Sequence, residues 1–310
     1  MGTIYVGPKK IPVDEALYNK IMFMIKRCTQ KKPKRDALLN NEGEEGIGKT
    51  TLSLLEAYII HVETGRSFSN ANVFFDVGKA IRFAQNTESQ IIIFDEPASD
   101  VLSAEWWKET QKNLIKLLMM ARKKRHFFIF NFTKFWKFNE YIVVDRALGM
   151  VHLYVRSDES TPRFVYIRKK KLQLLFNDFR TKKQRNYYKY YSFRGTFPDI
   201  LDKDMPYNIL DMFNAEEYDK EKDKAIMDIG KKEKKTKELK RLIELKYKLG
   251  RMKIKGVSGE LICSKLGITP KTLKVWSRID KKDFEEPTKD SSEPEDPLEE
   301  NEEFLESSNP

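Results

Sequence analysis

The stretch Ala37–Gly65, ALLNNEGEEGIGKTTLSLLEAYIIHVETG, decides the fold. An apolar run, ALLNN, leads into a turn holding Gly43, Gly46 and Gly48, and the apolar residues beyond it recur at helical spacing. Strand, glycine-rich turn and helix in that order open a βαβ unit. The turn itself, GEEGIGKT from Gly43 to Thr50, satisfies G-x-x-x-x-G-K-S/T at every fixed position. The chemistry explains the spacing. Glycines let the backbone wrap until successive N–H groups point inward at an anion, and the following helix adds its positive end. On this reading Gly43, Glu44, Glu45, Gly46, Ile47, Gly48, Lys49, Thr50 and Thr51 enclose the phosphates of ATP. Lys49 reaches the β- and γ-phosphates, and the Thr50 hydroxyl ligates Mg2+.

Working outward, QIIIFDEP (Gln90–Pro97) is an apolar strand that ends in two carboxylates. A buried strand with acids at its carboxyl end places them where open α/β sheets bind ligands. Asp95 is then the second magnesium-holding residue and Glu96 the base that orients and deprotonates water. The competing reading makes the pair a helix cap, which the neighbouring phosphate loop disfavours. A third strand, HFFIFNFT, ends in Asn131 and Thr133. These share a face by alternation, and one of them is placed to sense the γ-phosphate or the attacking water. Arg122 and Arg125 end the helix before this strand, with Arg146 and Arg156 beyond it. A ring-forming ATPase supplies such an arginine to its neighbour's site; Arg122 is one candidate, and the sequence does not single it out from the other three.

The rest of the chain divides by pattern. Residues 1–35 are a helix and basic connector, in which Leu17, Ile21, Met24 and Ile25 mark the buried face and Tyr18 is a candidate for adenine contact. The α/β domain spans 36–215 and includes an expected hairpin from VHLYVR to RFVYIR. Its last part, 168–194, interleaves ten Lys/Arg with seven Phe/Tyr. Leu172, Leu175, Phe176 and Phe179 recur at core spacing there, whereas the Tyr187–Tyr191 cluster is too dense for a single buried face. A charged linker, 216–235, precedes a helical unit at 236–280. Within that unit SGELICSKLGITPKTLKVWSRI reads as helix-turn-helix, with Leu261, Ile262 and Leu266 inward, Gly267 at the turn, and Lys271, Thr272, Lys274 and Arg278 facing DNA.

Charge points the same way. Lys281–Pro310 hold twelve acidic and three basic side chains, so residues 1–280 carry +20 within a total of +11. A body that basic favours a polyanion, and the acidic tail reads as a disordered segment able to recruit a partner. Two widely spaced cysteines exclude a disulfide scaffold and a zinc site and fit a cytoplasmic setting. No apolar run approaches the roughly 20 residues of a membrane span.

Phosphate loop, Asp-Glu strand and polar strand end together resemble the additional-strand, catalytic-glutamate P-loop ATPases. Within these the chain is similar to the HerA/FtsK-type DNA-pumping ATPases of phages, archaeal viruses and mobile elements, some called zonular occludens toxin-like. The likeness spans about residues 30–170 and rests on TGRSFSNANVFFD, on DEP followed by Trp106-Trp107, on KLLMMARKKRHFFIFN and on DRALGMVHLYVR. It departs at Asn131/Thr133, where Gln is frequent, and at Pro97, where Ala is usual. The resemblance implies a RecA-like, mostly parallel sheet flanked by helices, a homo-oligomeric ring, and ATP hydrolysis coupled to translocation or packaging of DNA. The alternative is an ATP-switched, DNA-binding partitioning or regulatory protein with slow turnover.

Overall fold

The computed structural model describes residues 2–95, 104–156, 161–183 and 186–225, then 227, 245, 248, 255–270 and 273, without the side chains of 104–110. Two units separate at 233/234.

The first unit is α/β. A hairpin of β1 (Thr3–Val6) and β2 (Ile11–Asp14) precedes helix α1 (Glu15–Thr29). Asp14 caps α1 by accepting from the Ala16 and Leu17 amides at 3.0 and 3.1 Å. Strand β3 (Ala37–Glu42) feeds the glycine turn and helix α2 (Lys49–Thr64). There follow β4 (Val73–Phe74), α3 (Val77–Asn86), β5 (Ile91–Phe94), α4 (Ala104–Met120) and β6 (Phe127–Phe132). After a π-helical turn at Tyr141–Arg146 come β7 (Gly149–Tyr154), β8 (Arg163–Arg168), α5 (Lys169–Lys182), the short α6 (Tyr187–Tyr190) and β9 (Phe193–Thr196). Helical residues 215–225 form α7.

Seven strands form one sheet in the order β4-β5-β6-β3-β7-β8-β9. The first five are parallel, and β8 and β9 extend the sheet antiparallel. The β7–β8 pair is the hairpin expected from VHLYVR and RFVYIR. Strand β6 lies between β3 and β5, so the strand carrying the glycine turn and the strand carrying Asp95 are not neighbours.

Both faces of the parallel strands are buried, so they read as continuous apolar runs. Alternation sorts them between two cores. Ala37, Leu39, Ile91, Ile93, Phe127 and Ile129 pack with α1 and α2. Leu38, Ile92, Phe94, Phe128, Phe130 and Phe132 pack with α3, α4 and α5 on the other side. In α5, Leu172, Leu175 and Phe176 are buried as the spacing requires. The tyrosine cluster divides: Tyr187 and Tyr190 are buried, and Tyr188 and Tyr191 are exposed.

In the second unit, helix α8 (Gly259–Leu266) is capped by the Ser258 hydroxyl and ends at Gly267 with φ +61°. Ile262 is buried, but Leu261 is 46% exposed and does not pack inward as its spacing implied. Lys271, Thr272, Lys274 and Arg278 lie outside the described residues.

Candidate nucleotide site

The same alternation builds the site. In β3 and β6 the residues at odd positions face α2, so Asn41 and Asn131, paired in register, project toward that helix together with Asp95 just past β5. Helix α2 answers with Thr50, Ser53 and Glu56. All of this sits at the carboxyl edge of the parallel strands, where the turn after β3 curls over α2.

Within that turn Gly46 and Gly48 have φ of +74° and +91°, a region that L side chains rarely adopt. Gly43 is needed for space. A Cβ there would lie 3.0 Å from the Leu153 carbonyl oxygen. Gly48 precedes α2 without a side-chain cap, so the helix presents backbone N–H groups and its dipole to the loop. Lys49 is 5% exposed, and its Nζ donates to the carbonyls of Gly43 and Glu44 at 3.0 and 2.6 Å. Glu44, Glu45 and Gly46 are exposed on the rim, Ile47 is half-buried and Thr51 lies in the first turn of α2.

Behind the loop runs a buried polar chain. The Thr50 hydroxyl donates to Asp95 Oδ2 at 2.9 Å. Asn131 Nδ2 donates to Asp95 Oδ1 at 2.8 Å and to Ser53 Oγ at 3.0 Å. Asn41 Nδ2 donates to Asn131 Oδ1 at 3.3 Å and to Glu56 Oε2 at 2.9 Å. Because Asn41 occupies the amide oxygen of Asn131, the amide nitrogen of Asn131 faces Asp95. The chain ends in a fully buried carboxyl, whose pKa is pushed up to about 8 by desolvation and lowered by the Asn41 hydrogen bond.

That carboxyl has a consequence for stability. A carboxyl raised from 4.5 to about 8 favours folding below the unfolded value and progressively loses that contribution as pH rises toward 8. Glu56→Gln keeps an acceptor for Asn41 and cannot ionise. Its unfolding free energy is therefore expected to fall less than the wild type's between pH 5 and 8, as measured by urea denaturation at stepped pH. Parallel pH curves for the two proteins would contradict this.

The site also takes a residue from far along the chain. Tyr218, on α7, donates its hydroxyl to Asp95 Oδ2 and stands 3.3 Å from the Thr50 hydroxyl. Composition places it in a charged linker, and nothing in the local pattern marks its return to the sheet.

Other candidates fall elsewhere. Thr133 lies one residue past β6 and is half-buried, whereas Asn131 makes the contact with Asp95. Tyr18, the candidate for adenine contact, is engaged elsewhere in this structure. It donates to Glu63 at 2.9 Å, near the far end of α2 and roughly 20 Å from Lys49 at 1.5 Å per residue. Arg122 and Arg125 precede β6 at the amino edge of the sheet, opposite their own chain's loop. There Arg122 Nη2 reaches the Tyr141 hydroxyl at 3.5 Å, and Arg125 Nη2 donates to the Gln30 and Lys31 carbonyls. Arg146 is paired with buried Asp36 at the same edge. Arg156 follows β7 at the carboxyl edge. Glu96 lies outside the described residues.

The donor set fits magnesium. Adjacent ligands of an octahedral Mg2+ bound at ~2.1 Å are about 3 Å apart. The Thr50 and Asp95 oxygens are separated by 2.9 Å. Among the described residues no cluster of three His, Cys, Asp or Glu could hold a metal by itself. One hydroxyl and one carboxylate suit a cation that takes its remaining ligands from phosphates and water.

No family model and no curated protein matches the chain. Among solved structures it is similar to a KaiC-like protein of Pyrococcus horikoshii, at 15% identity and a TM-score of 0.33, over 44% of this chain and 79% of that one. It is similar also to the flagellar accessory protein FlaH of Methanocaldococcus jannaschii, at 13% identity and a TM-score of 0.30, over 47% and 83% of the two chains.

Proposed function

We propose that this chain is a magnesium-dependent ATPase whose turnover drives movement of DNA. The observation that carries the ATPase reading is the convergence of Thr50, Asp95 and Asn131 beside a glycine turn of positive φ at the carboxyl edge of a parallel sheet. The turn and the start of α2 would hold the triphosphate, Lys49 would leave its carbonyl partners for the β- and γ-phosphates, and Thr50 and Asp95 would hold magnesium. Bound magnesium supplies charge neutralisation of the phosphates. Glu96, next to Asp95 in the chain, is the proposed general base.

DNA as the partner is supported by charge and surface chemistry. Residues 1–280 carry +20. Exposed Tyr188 and Tyr191 stand among exposed Lys170, Lys171, Lys182, Lys183, Lys189 and Arg194, cations for phosphates beside rings for bases. The helix-turn-helix reading of 258–278 adds a second grip. Assembly into a ring, with an arginine of one subunit completing the next subunit's site, belongs to the same proposal. So do a cytoplasmic setting and recruitment of a partner through the acidic tail. No helix among the described residues is long and apolar enough to cross a membrane.

The test is steady-state ATP hydrolysis with and without duplex DNA, for the wild type and Glu96→Gln. Stimulation by DNA that disappears in the variant, while nucleotide binding survives, is the expected result. Turnover that ignores DNA, or that Glu96→Gln leaves intact, would shift the reading to an ATP-switched DNA-binding factor.

A further inference from the structure

The Tyr218 hydroxyl lies where the proposed cation would have to be served. It contacts Asp95 Oδ2 and is 3.3 Å from Thr50 Oγ1, the two oxygens whose 2.9 Å separation matches one edge of a magnesium octahedron. Three oxygens thus form a tight triangle over one point. Magnesium dehydrates reluctantly and keeps several waters, which need room around the carboxylate they bond. A neutral phenol brings no negative charge to offset lost hydration, so it obstructs the cation instead of joining its shell.

The ring is held in place by packing and by a defined helix start. It lies 5.2 Å from the Phe75 ring and 5.5 Å from the Phe213 ring, tilted against both. Asn214 caps α7 by accepting from the Glu217 amide at 3.1 Å. Asn214 is itself tied to Asn70 by reciprocal bonds, Asn70 Nδ2 to the Asn214 carbonyl at 2.7 Å and the Asn214 amide to Asn70 Oδ1 at 2.9 Å. One turn beyond that anchor, Tyr218 is delivered to Asp95.

We propose that the Tyr218 hydroxyl and magnesium compete for Asp95 and Thr50, so that binding of the magnesium–nucleotide pair expels Tyr218 and frees α7 from the site. This rests on the reading of Asp95 and Thr50 as magnesium ligands. It goes further by making α7 a reporter of site occupancy. Tyr218 here is a positioning residue that sets the cation requirement.

The experiment is equilibrium binding of a fluorescent ATP analogue to the full chain, titrated with magnesium and repeated in EDTA, for the wild type and Tyr218→Phe. The phenylalanine keeps the ring against Phe75 and Phe213 and removes only the hydroxyl. A hydrogen bond to a carboxylate is expected to shift the magnesium requirement roughly tenfold, so Tyr218→Phe should reach half-saturation at about one-tenth the magnesium, with binding in EDTA unchanged. In parallel, hydrogen exchange of wild-type residues 215–225 should rise with magnesium and ATP but not with ATP in EDTA. An unchanged or increased magnesium requirement in the variant, or unaltered exchange, overturns the competition while leaving the nucleotide site standing. Failure of the wild type to bind the analogue under any condition overturns both.

Discussion

Lys49→Ala is expected to lower ATP hydrolysis on the order of a thousandfold while leaving the protein folded. The size follows from what the ammonium does in a water-poor site. Removing one preorganised donor from charge that develops on a transferring group costs about 3–4 kcal/mol, and a full charge aimed at phosphate oxygens belongs at the upper end. Lys49 is almost wholly buried and bonded to two carbonyls of the loop that follows β3. Its ammonium is therefore already held at the loop, and nucleotide binding exchanges those two carbonyls for phosphate oxygens. The carbonyl of Glu44 can turn to water at the exposed rim, whereas that of Gly43 is buried and loses its donor, so the expected loss of stability is about 1–2 kcal/mol. Single-turnover hydrolysis and thermal melting of the same preparation separate the two effects. A variant that keeps more than a tenth of the wild-type rate would remove Lys49 from the proposed chemistry.

Asn131→Leu is expected to cost about 3 kcal/mol of folding stability and to weaken magnesium-dependent nucleotide binding. Leucine branches at Cγ as asparagine does, with two bulkier methyls in place of the amide atoms, and carries no donor or acceptor. Three buried groups lose a partner at once: Asp95 Oδ1, the Ser53 hydroxyl and the Asn41 amide. Asp95 is the costliest of them, because it is 1% exposed and its Oδ1 loses the Asn131 donor, leaving the Thr50 and Tyr218 hydroxyls on Oδ2 to offset its desolvation. The Asn41–Asn131–Asp95 geometry also fixes which way the Asn131 amide points, so the substitution frees Asp95 to rotate away from Thr50. Urea unfolding at pH 7 measures the first effect, and nucleotide titration with and without magnesium measures the second. A stability loss under about 1 kcal/mol would mean that the polar chain behind the loop is replaceable by packing alone.

Much of this arrangement is local and so can be read along the chain. The strand–turn–helix of 37–65, the acid-ended strand at 91–95 and the polar-ended strand at 127–132 each declare themselves within about a dozen residues. Alternation then puts Asn131 on one definite face. It puts Thr133 on that face too, and the choice between them comes from pairing. Asn131 lies opposite Asn41 within the sheet and reaches Asp95, while Thr133 has already left the strand. The hairpin β1–β2 and the edge strand β9 escape a pattern reading because four-residue strands carry too few alternations to stand out. Leu261 shows the opposite error, since helical spacing marks a stripe but not how much of it a small unit can cover.

By itself, then, the sequence determined the strand, glycine-rich turn and helix of 37–65, Asp95 at a strand end, the α/β class and the basic body, because each depends on neighbours in the chain or on composition. Tertiary structure alone decided that β6 separates β3 from β5, that Asn41, Asn131 and Glu56 join Asp95 in one buried polar chain, and that Tyr18 and Arg122 stand away from their own chain's loop. It alone also brought Tyr218 back to Thr50 and Asp95 across more than a hundred residues of chain. Such contacts are set by strand order and by the path of the connections, and residues that meet only through them carry no shared period or spacing from which the meeting could be read.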